Sequence, residues 1–303
     1  MRTHWNVLVA VASVLAATGC GDGATGSNDR PAVTLSPLVV DIAEPSTTIL
    51  GVPGPTTSAS ASAASPGATT TVGDPVIAED LEDIDDLETD TELVIGYSVE
   101  NRPITVVRRG TAGGTKVLAV GVIHGNEDAG AEIVDVLRVA DVPDGIELWL
   151  VRSMNPDGQV AQVRHNANGV DLNRNFAHNW GPVAEPGNWE YAGSGPASEP
   201  ETQAMSALGE ALRPDLVLWY HQDLFRISPT SGRDGEVRAR YAGLTGLPLI
   251  AVTGGTYTGT ASQWSRTVVE PRGVGFTVEL GPTLTDDDEV RHANAVLTVA
   301  SEM

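Results

Sequence analysis

A histidine and a glutamate stand three residues apart in His124-Gly-Asn-Glu127, directly after the apolar run Lys116–Ile123. Imidazole and carboxylate are common zinc ligands, and the end of a strand can aim both at one point in space. A solvent-facing loop can hold the same pair with no metal between them, so a third partner has to be found. The run Leu216-Val-Leu-Trp-Tyr-His221 closes on an imidazole that its apolar neighbours do not explain. A strand-end histidine can also be a satisfied structural residue. Taken with His124 and Glu127, however, His221 completes a set of two histidines and one glutamate. That set would hold one zinc ion per chain and leave a coordination position open, as catalytic zinc sites do.

Such a site needs a proton acceptor beside it. Glu279 lies within Gly275-Phe-Thr-Val-Glu-Leu-Gly281, where apolar neighbours would not tolerate an unpartnered carboxylate. It is either one half of a buried salt bridge or a general base that takes a proton from water and returns it to a leaving amine. Asn155-Pro-Asp-Gly158 is turn chemistry. Asn168-Gly-Val-Asp-Leu-Asn-Arg-Asn-Phe176 reads as a polar loop or as a recognition segment. In the second reading, Asn173 and Arg174 offer an amide and a planar fork suited to a carboxylate. Arg164 could then add a guanidinium where an oxyanion develops.

The elements that must position these groups alternate in type from Leu93 onward. Ile104–Arg108, Lys116–Ile123, Ile146–Val151, Leu216–His221, Pro248–Thr253 and Gly275–Leu280 have strand texture; Ala129–Val139, Glu199–Leu212, Gly235–Gly243 and Asp286–Ser301 have helical texture. The expectation is a single α/β domain with a mixed, mostly parallel sheet flanked by helices. His124 and His221 then fall at the C-terminal ends of interior strands, where open α/β sheets place their ligands. The stretch Asn155–Gly195 has little periodicity, and a loop of that length in a compact domain is usually functional.

In their order along the chain these segments resemble the zinc carboxypeptidases, or funnelins. The resemblance runs from Leu93 to about Ser301 and rests on His124–Glu127, Asn155–Gly158, Asn168–Phe176, Ser198-Glu-Pro-Glu201, His221 and Thr277–Leu280, preceded by Ile95–Ile104. It implies a hydrolase in which His124, Glu127 and His221 bind zinc and Glu279 is the base. Asn173 and Arg174 would hold a substrate carboxylate, and Arg164 would polarise the scissile carbonyl. Many members carry a mobile tyrosine ahead of the base strand. Tyr257, 22 residues before Glu279 in the glycine-rich run Thr253–Thr260, stands where that residue would. Flexible turns explain the same glycines, and the run lacks the Gly-Lys-Ser/Thr ending of a phosphate loop.

The remainder of the chain bears on address and substrate. Residues 1–20 read as an export signal, with Arg2, an apolar stretch Val7–Ala17 and Ala17-Thr-Gly-Cys20, which resembles a lipobox with alanine in place of the usual leucine. Cys20 is the single cysteine, so it has no intrachain partner, and lipidation there would anchor an exported protein on the outer face of the membrane. Residues 21–92 read as a disordered linker, low in complexity and then acidic, reaching on the order of 50 Å. Its acidic end sets Leu81, Ile84 and Leu87 at every third position, which is either a solvated charge run or a segment that docks on the domain. The catalytic domain then spans 93–303.

The net charge of -22, more than half of it in the first 92 residues, excludes nucleic acid as a partner. The size of the domain is closer to the murein peptide amidase branch, which cuts the γ-D-glutamyl-diaminopimelate bond of wall peptides. Wall peptides are anionic, so local arginines must reverse the sign at the site; Arg164, Arg174 and Arg226 are the candidates. Asp223, after His221, is a candidate for the substrate's amino group. The same machinery would serve a general metallocarboxypeptidase or an N-acyl amino acid deacylase, and a non-catalytic wall-peptide-binding lipoprotein is the reading from another class.

Overall fold

The computed structural model describes Leu81, Ile84 and residues 87–269, 271 and 273–303. The signal-like segment with Cys20 and the linker up to residue 80 lie outside the described residues. Six strands form one sheet: β1 (Glu92–Tyr97), β2 (Pro103–Gly110), β3 (Thr115–Val120), β4 (Ile146–Val151), β5 (Leu216–Gln222) and β6 (Val274–Leu280). Their order is β1-β2-β4-β3-β5-β6. The β4-β3-β5-β6 half is parallel, and β1 and β2 add antiparallel pairs at one edge. Six helices accompany them: α1 (Ala129–Val139), α2 (Pro156–Ala161), α3 (Pro200–Leu212), α4 (Gly232–Thr245), α5 (Ala261–Val268) and α6 (Asp286–Ser301).

The central strands are apolar on both faces because both are covered. On one face Ala119, Leu148, Leu218 and Phe276 pack with side chains of α1, α4 and α6. On the other, Leu118, Trp149, Val217 and Trp219 pack with α3 and α5. The chain leaves β3 through α1 to β4 on one side, then returns to β5 on the other side of β3. Strand order therefore reverses between β3 and β5. A crevice forms at the carboxyl ends of strands at such a point. His124 follows β3 and His221 lies at the end of β5, so the reversal sets the two imidazoles across one crevice.

Several expectations need correcting. Leu81 and Ile84 are 2% and 3% exposed in the α3/α5-side core, and Leu87 packs beside them. Leu81, Ile84 and Leu87 thus dock rather than float, and the packed body begins ahead of Leu93. Buried Arg108 reaches back to the Leu87 carbonyl and pairs with buried Glu147 at 2.9 Å. Pro248–Thr253 is not a strand: it makes a single bridge, Ile227↔Leu249, and leaves Leu249, Ile250 and Val252 exposed. β1 and α5 had no sequence forecast. Helix α5 is eight residues long and buries only Ala261, Trp264, Ser265 and Val268, too short a pattern to stand out. The strand at Lys116–Ile123 ends early, at Val120, where α1 comes in close: a Cβ on Gly121 would lie 2.6 Å from the Arg152 carbonyl and 2.9 Å from that of Gly130.

The face covered by α1, α4 and α6 also holds a polar chain. Tyr220 on β5 meets the Tyr241 hydroxyl at 3.1 Å, and that hydroxyl meets His292 Nδ1 at 2.8 Å. Burial pushes the His292 imidazole down from 6.5 to about 4; Asp288 opposes this and Arg291 adds to it. The folded protein therefore binds its proton later than the unfolded chain, and stability is lost as pH falls from 6.5 through 4. The expected loss from this residue is about 2 kcal/mol by pH 5 and about 3 kcal/mol by pH 4. Urea unfolding of the protein and of His292→Gln across that range checks it: the stability difference between the two should change by that amount, and an unchanging difference would refute it.

Candidate metal site and cleft

The His124–Glu127 turn is held from below by Asn155–Gly158. The Asn155 amide donates to the carbonyls of Ile123 (3.0 Å) and Arg164 (3.3 Å), while its side-chain oxygen accepts from Gly158 N (3.0 Å). The contact is backbone on backbone: a Cβ on Gly125 would lie 1.9 Å from the Gly158 carbonyl carbon. Buried Asp157 in the same turn accepts from Ser98 Oγ (2.7 Å) and Glu100 N (2.9 Å), fastening the turn to the β1–β2 connection. What reads as turn chemistry is thus the seat of the candidate ligands.

His124 and His221 face each other with Nδ1 atoms 3.1 Å apart. Glu127 Oε1 lies 2.9 Å from His124 Nδ1, and its Oε2 lies 3.0 Å from His221 Nδ1. One donor atom from each residue falls within 4.8 Å of the others. Burial alone would push the Glu127 carboxyl up, but the two imidazoles facing it outweigh this and hold the group well below the usual range. His124 Nε2 lies 3.1 Å from Asp171 Oδ1. Burial disfavours the Asp171 charge, yet His124, Arg164 and Arg174 together keep this carboxylate ionised. Nε2–H is therefore the donor, which leaves the Nδ1 lone pair pointing at the cluster. A carboxylate behind a ligating histidine fixes its tautomer in this way. Two imidazole nitrogens and a carboxylate converging on one point, with the tautomer of one imidazole already set, suit zinc; the residues fit the ion.

Glu279 is the Cα partner of His221 on the β5–β6 ladder, so the two side chains leave the sheet on the same face. Burial raises the Glu279 carboxyl above its ordinary value and Glu127 adds to this, while His221, His124 and Arg226 oppose it. A cavity of about 250 Å³ opens beside it, lined among others by Asn173, Arg226, Tyr257, Arg266 and Thr277. Asn173 belongs to a single 3-10 turn, Leu172–Arg174, begun by Asp171, whose Oδ1 accepts from Asn173 N at 2.9 Å. Its own Oδ1 accepts from Ala261 N at the start of α5, and its amide nitrogen lies 3.3 Å from His221 Nε2.

The remaining candidates divide. Arg174 is buried and outside the cavity lining: it pairs with Glu190 at 2.7 Å and lies over the Tyr257 ring at 5.3 Å. Tyr257 does line the cavity and is 46% exposed. Gly259, near the end of the glycine-rich run, is pinned: its carbonyl accepts from Phe176 N (2.9 Å), and a Cβ would meet the Arg174 carbonyl. Arg164 donates through Nε and Nη2 to Asp171 (3.1 and 2.7 Å), and through Nη1 to Glu127 (3.1 Å). Asp223 lies in a second depression, with Asn126, Glu127, Gln222 and Pro282, apart from the cavity beside Glu279. Glu199 and Glu201 both accept from Asn166 (2.8 and 3.0 Å) and clamp the loop before Asn168.

Two residues were missed as individuals. Asp171 was legible only as part of its segment. Glu190 sits in the irregular stretch, where nothing in the sequence singles it out.

Comparison with known proteins bears on this arrangement. Residues 81–223 match the zinc carboxypeptidase family. The chain is 33% identical to murein peptide amidase A of Escherichia coli K12 over 152 residues, covering 46% of this chain and 62% of that one. It thus spans less than two thirds of that relative's length. Murein peptide amidase A of Vibrio campbellii is 26% identical over 216 residues, covering 67% and 85% of the two chains. The solved murein-tripeptide amidase of Escherichia coli O157 superposes with a TM-score of 0.55 at 25% identity, over 69% of this chain and 91% of that one. The carboxypeptidase A of Helicoverpa armigera, with a TM-score of 0.61 at 18% identity over 74% and 70%, shares the fold. The family match ends at Asp223, so Glu279 is brought to the site by the sheet and not by the matched residues.

Proposed function

We propose that the chain is a zinc-dependent hydrolase of amide bonds beside a free carboxylate, a reading supported by the match of residues 81–223 to the zinc carboxypeptidase family. Its substrate is a cell-wall muropeptide, cut between γ-D-glutamate and diaminopimelate. The observation that carries the reading is the ladder pair His221↔Glu279, which sets a buried carboxylate on the same face as the ligand cluster and at the wall of the cavity. Zinc held by His124, Glu127 and His221 supplies a Lewis acid, which polarises a carbonyl and acidifies water.

The protein's own groups do the rest. Glu279 takes the proton of the attacking water and delivers it to the leaving amine. Its burial suits a group that must hold a proton between the two transfers. Arg164, fixed by Asp171, holds positive charge beside the ligands where the oxyanion develops. Asn173 presents its amide at the cavity wall to the free carboxylate of the released residue, and Tyr257 covers it. Arg174 serves the same carboxylate once it is released from Glu190. Asp223, on the other side of the cluster, faces the acyl portion and its amino group. The similarity to murein peptide amidases supports the choice of substrate. The signal-like segment and Cys20 support a place outside the cytoplasm, held to the membrane by lipid.

The test is to incubate the purified full chain with L-Ala-γ-D-Glu-meso-diaminopimelate and with ordinary C-terminal peptides, with and without chelator, and to identify products by mass. Release of diaminopimelate that stops on chelation and returns with zinc is expected. A product lacking only an ordinary L-residue would make the protein a general carboxypeptidase. Cleavage of neither set, with no zinc retained, would leave a binding protein.

A further inference from the structure

The cavity beside Glu279 is lined by three arginines in a chain whose net charge is -22. They are not equivalent. Arg238 is engaged by Asp234 through two contacts (2.6 and 3.0 Å), donates to the Ser228 carbonyl and lies over Phe276. Arg266 stands at the rim, 59% exposed and 4.0 Å from the same aspartate. Arg226 differs from both. Among the described residues its guanidinium makes no hydrogen bond or ion pair, and its Nε is buried without a partner. A guanidinium that lines the cavity with its donors unmet is open to an anion bound there.

The backbone fixes where Arg226 points. Arg226 and Glu279 form an antiparallel bridge, with Arg226 N donating to Glu279 O at 2.9 Å and Glu279 N to Arg226 O at 3.1 Å. Directly opposed residues send their side chains to the same face. Glu279, Thr277 two residues earlier, and Arg226 accordingly share one wall, with Asn173 and Tyr257 on the same cavity. A substrate residue whose free carboxylate lies near Asn173 would extend its side chain along this wall.

We propose that Arg226 is a specificity-determining residue: it binds a second carboxylate, on the side chain of the residue released, with Arg266 adding positive charge at the rim. This rests on the hydrolase reading above and refines it. Among wall peptides it distinguishes residues by one group, since lysine is diaminopimelate without the distal carboxylate.

The full chain is assayed on L-Ala-γ-D-Glu-meso-diaminopimelate and L-Ala-γ-D-Glu-L-Lys. The expected preference for the first is about 10- to 100-fold in kcat/KM, the range of a hydrogen bond to a charged group. Arg226→Gln should bring that ratio to within about threefold of one, while Arg226→Lys keeps part of it. Equal losses on both substrates, with the ratio intact, would mean that Arg226 serves only to balance Glu279, and the proposal fails. If the unaltered protein cuts neither substrate, the hydrolase reading fails on its own. The subsite is then judged by calorimetric titration with free meso-diaminopimelate and lysine: tighter binding of the former that is lost in Arg226→Gln sustains it, and equal binding overturns it.

Discussion

Glu279→Gln is expected to lower kcat by about 10³-fold, while zinc content and KM stay near those of the unaltered protein. The substitution keeps the shape of the side chain and removes only its capacity to accept and return a proton. Among the described residues the Glu279 side chain takes part in no hydrogen bond or ion pair, so the amide breaks no contact that holds the fold. The candidate metal set, His124, Glu127 and His221, does not include it. Loss of turnover with metal and binding retained separates a proton carrier from the alternative reading, half of a structural salt bridge, whose loss would lower the melting temperature instead. A variant that keeps more than about a tenth of the activity would remove Glu279 from the reaction.

The second large effect concerns a residue with no side chain. Gly125→Ala puts a methyl group 1.9 Å from the Gly158 carbonyl carbon and 2.2 Å from its oxygen, and both neighbours are backbone. Neither can rotate away. Relief requires that the His124–Glu127 turn lift from Asn155–Gly158, which also breaks the Asn155 bonds to Ile123 and Arg164. The cost is about 3 kcal/mol, the upper end for overpacking, and it falls on the two residues that must face His221. Zinc affinity should therefore drop by at least about 100-fold, measured by competition with a chelating dye, alongside a lower melting temperature. An alanine variant that binds zinc normally would show that the turn is not tightly seated.

Much of the site was legible because its chemistry sits at strand ends, where apolar runs stop abruptly at His124 and His221 and where Glu279 interrupts another. Such interruptions are visible without a structure, since an apolar strand gives no other reason for a charged or imidazole side chain. The ends of α1 and α6 were legible for the same kind of reason: buried faces repeat at helical spacing over 11 and 16 residues. The docking of Leu81 and Ile84 was not, because three apolar residues among acidic ones describe a floating segment as well as a bound one; the buried Arg108 that bonds the Leu87 carbonyl lies in β2. Pro248–Thr253 has strand composition yet only one bridge, because its neighbours leave it at the rim of the cavity. The pairing of Arg174 with Glu190 depends on how an irregular loop returns on itself, for which local sequence carries no period.

The sheet order has one more consequence. The candidate ligands His124 and His221 stand at the ends of interior strands, whereas Glu279 rides on β6, the last strand in sequence and the outermost at its edge of the sheet. During synthesis the two imidazoles and Glu127 exist well before the carboxylate that would set them to work. The three side chains come together only when β3 and β5 pair, and they meet the proton acceptor only when β6 docks on β5. Docking of this edge strand, and not of the interior ones, therefore decides when the proposed reaction becomes possible.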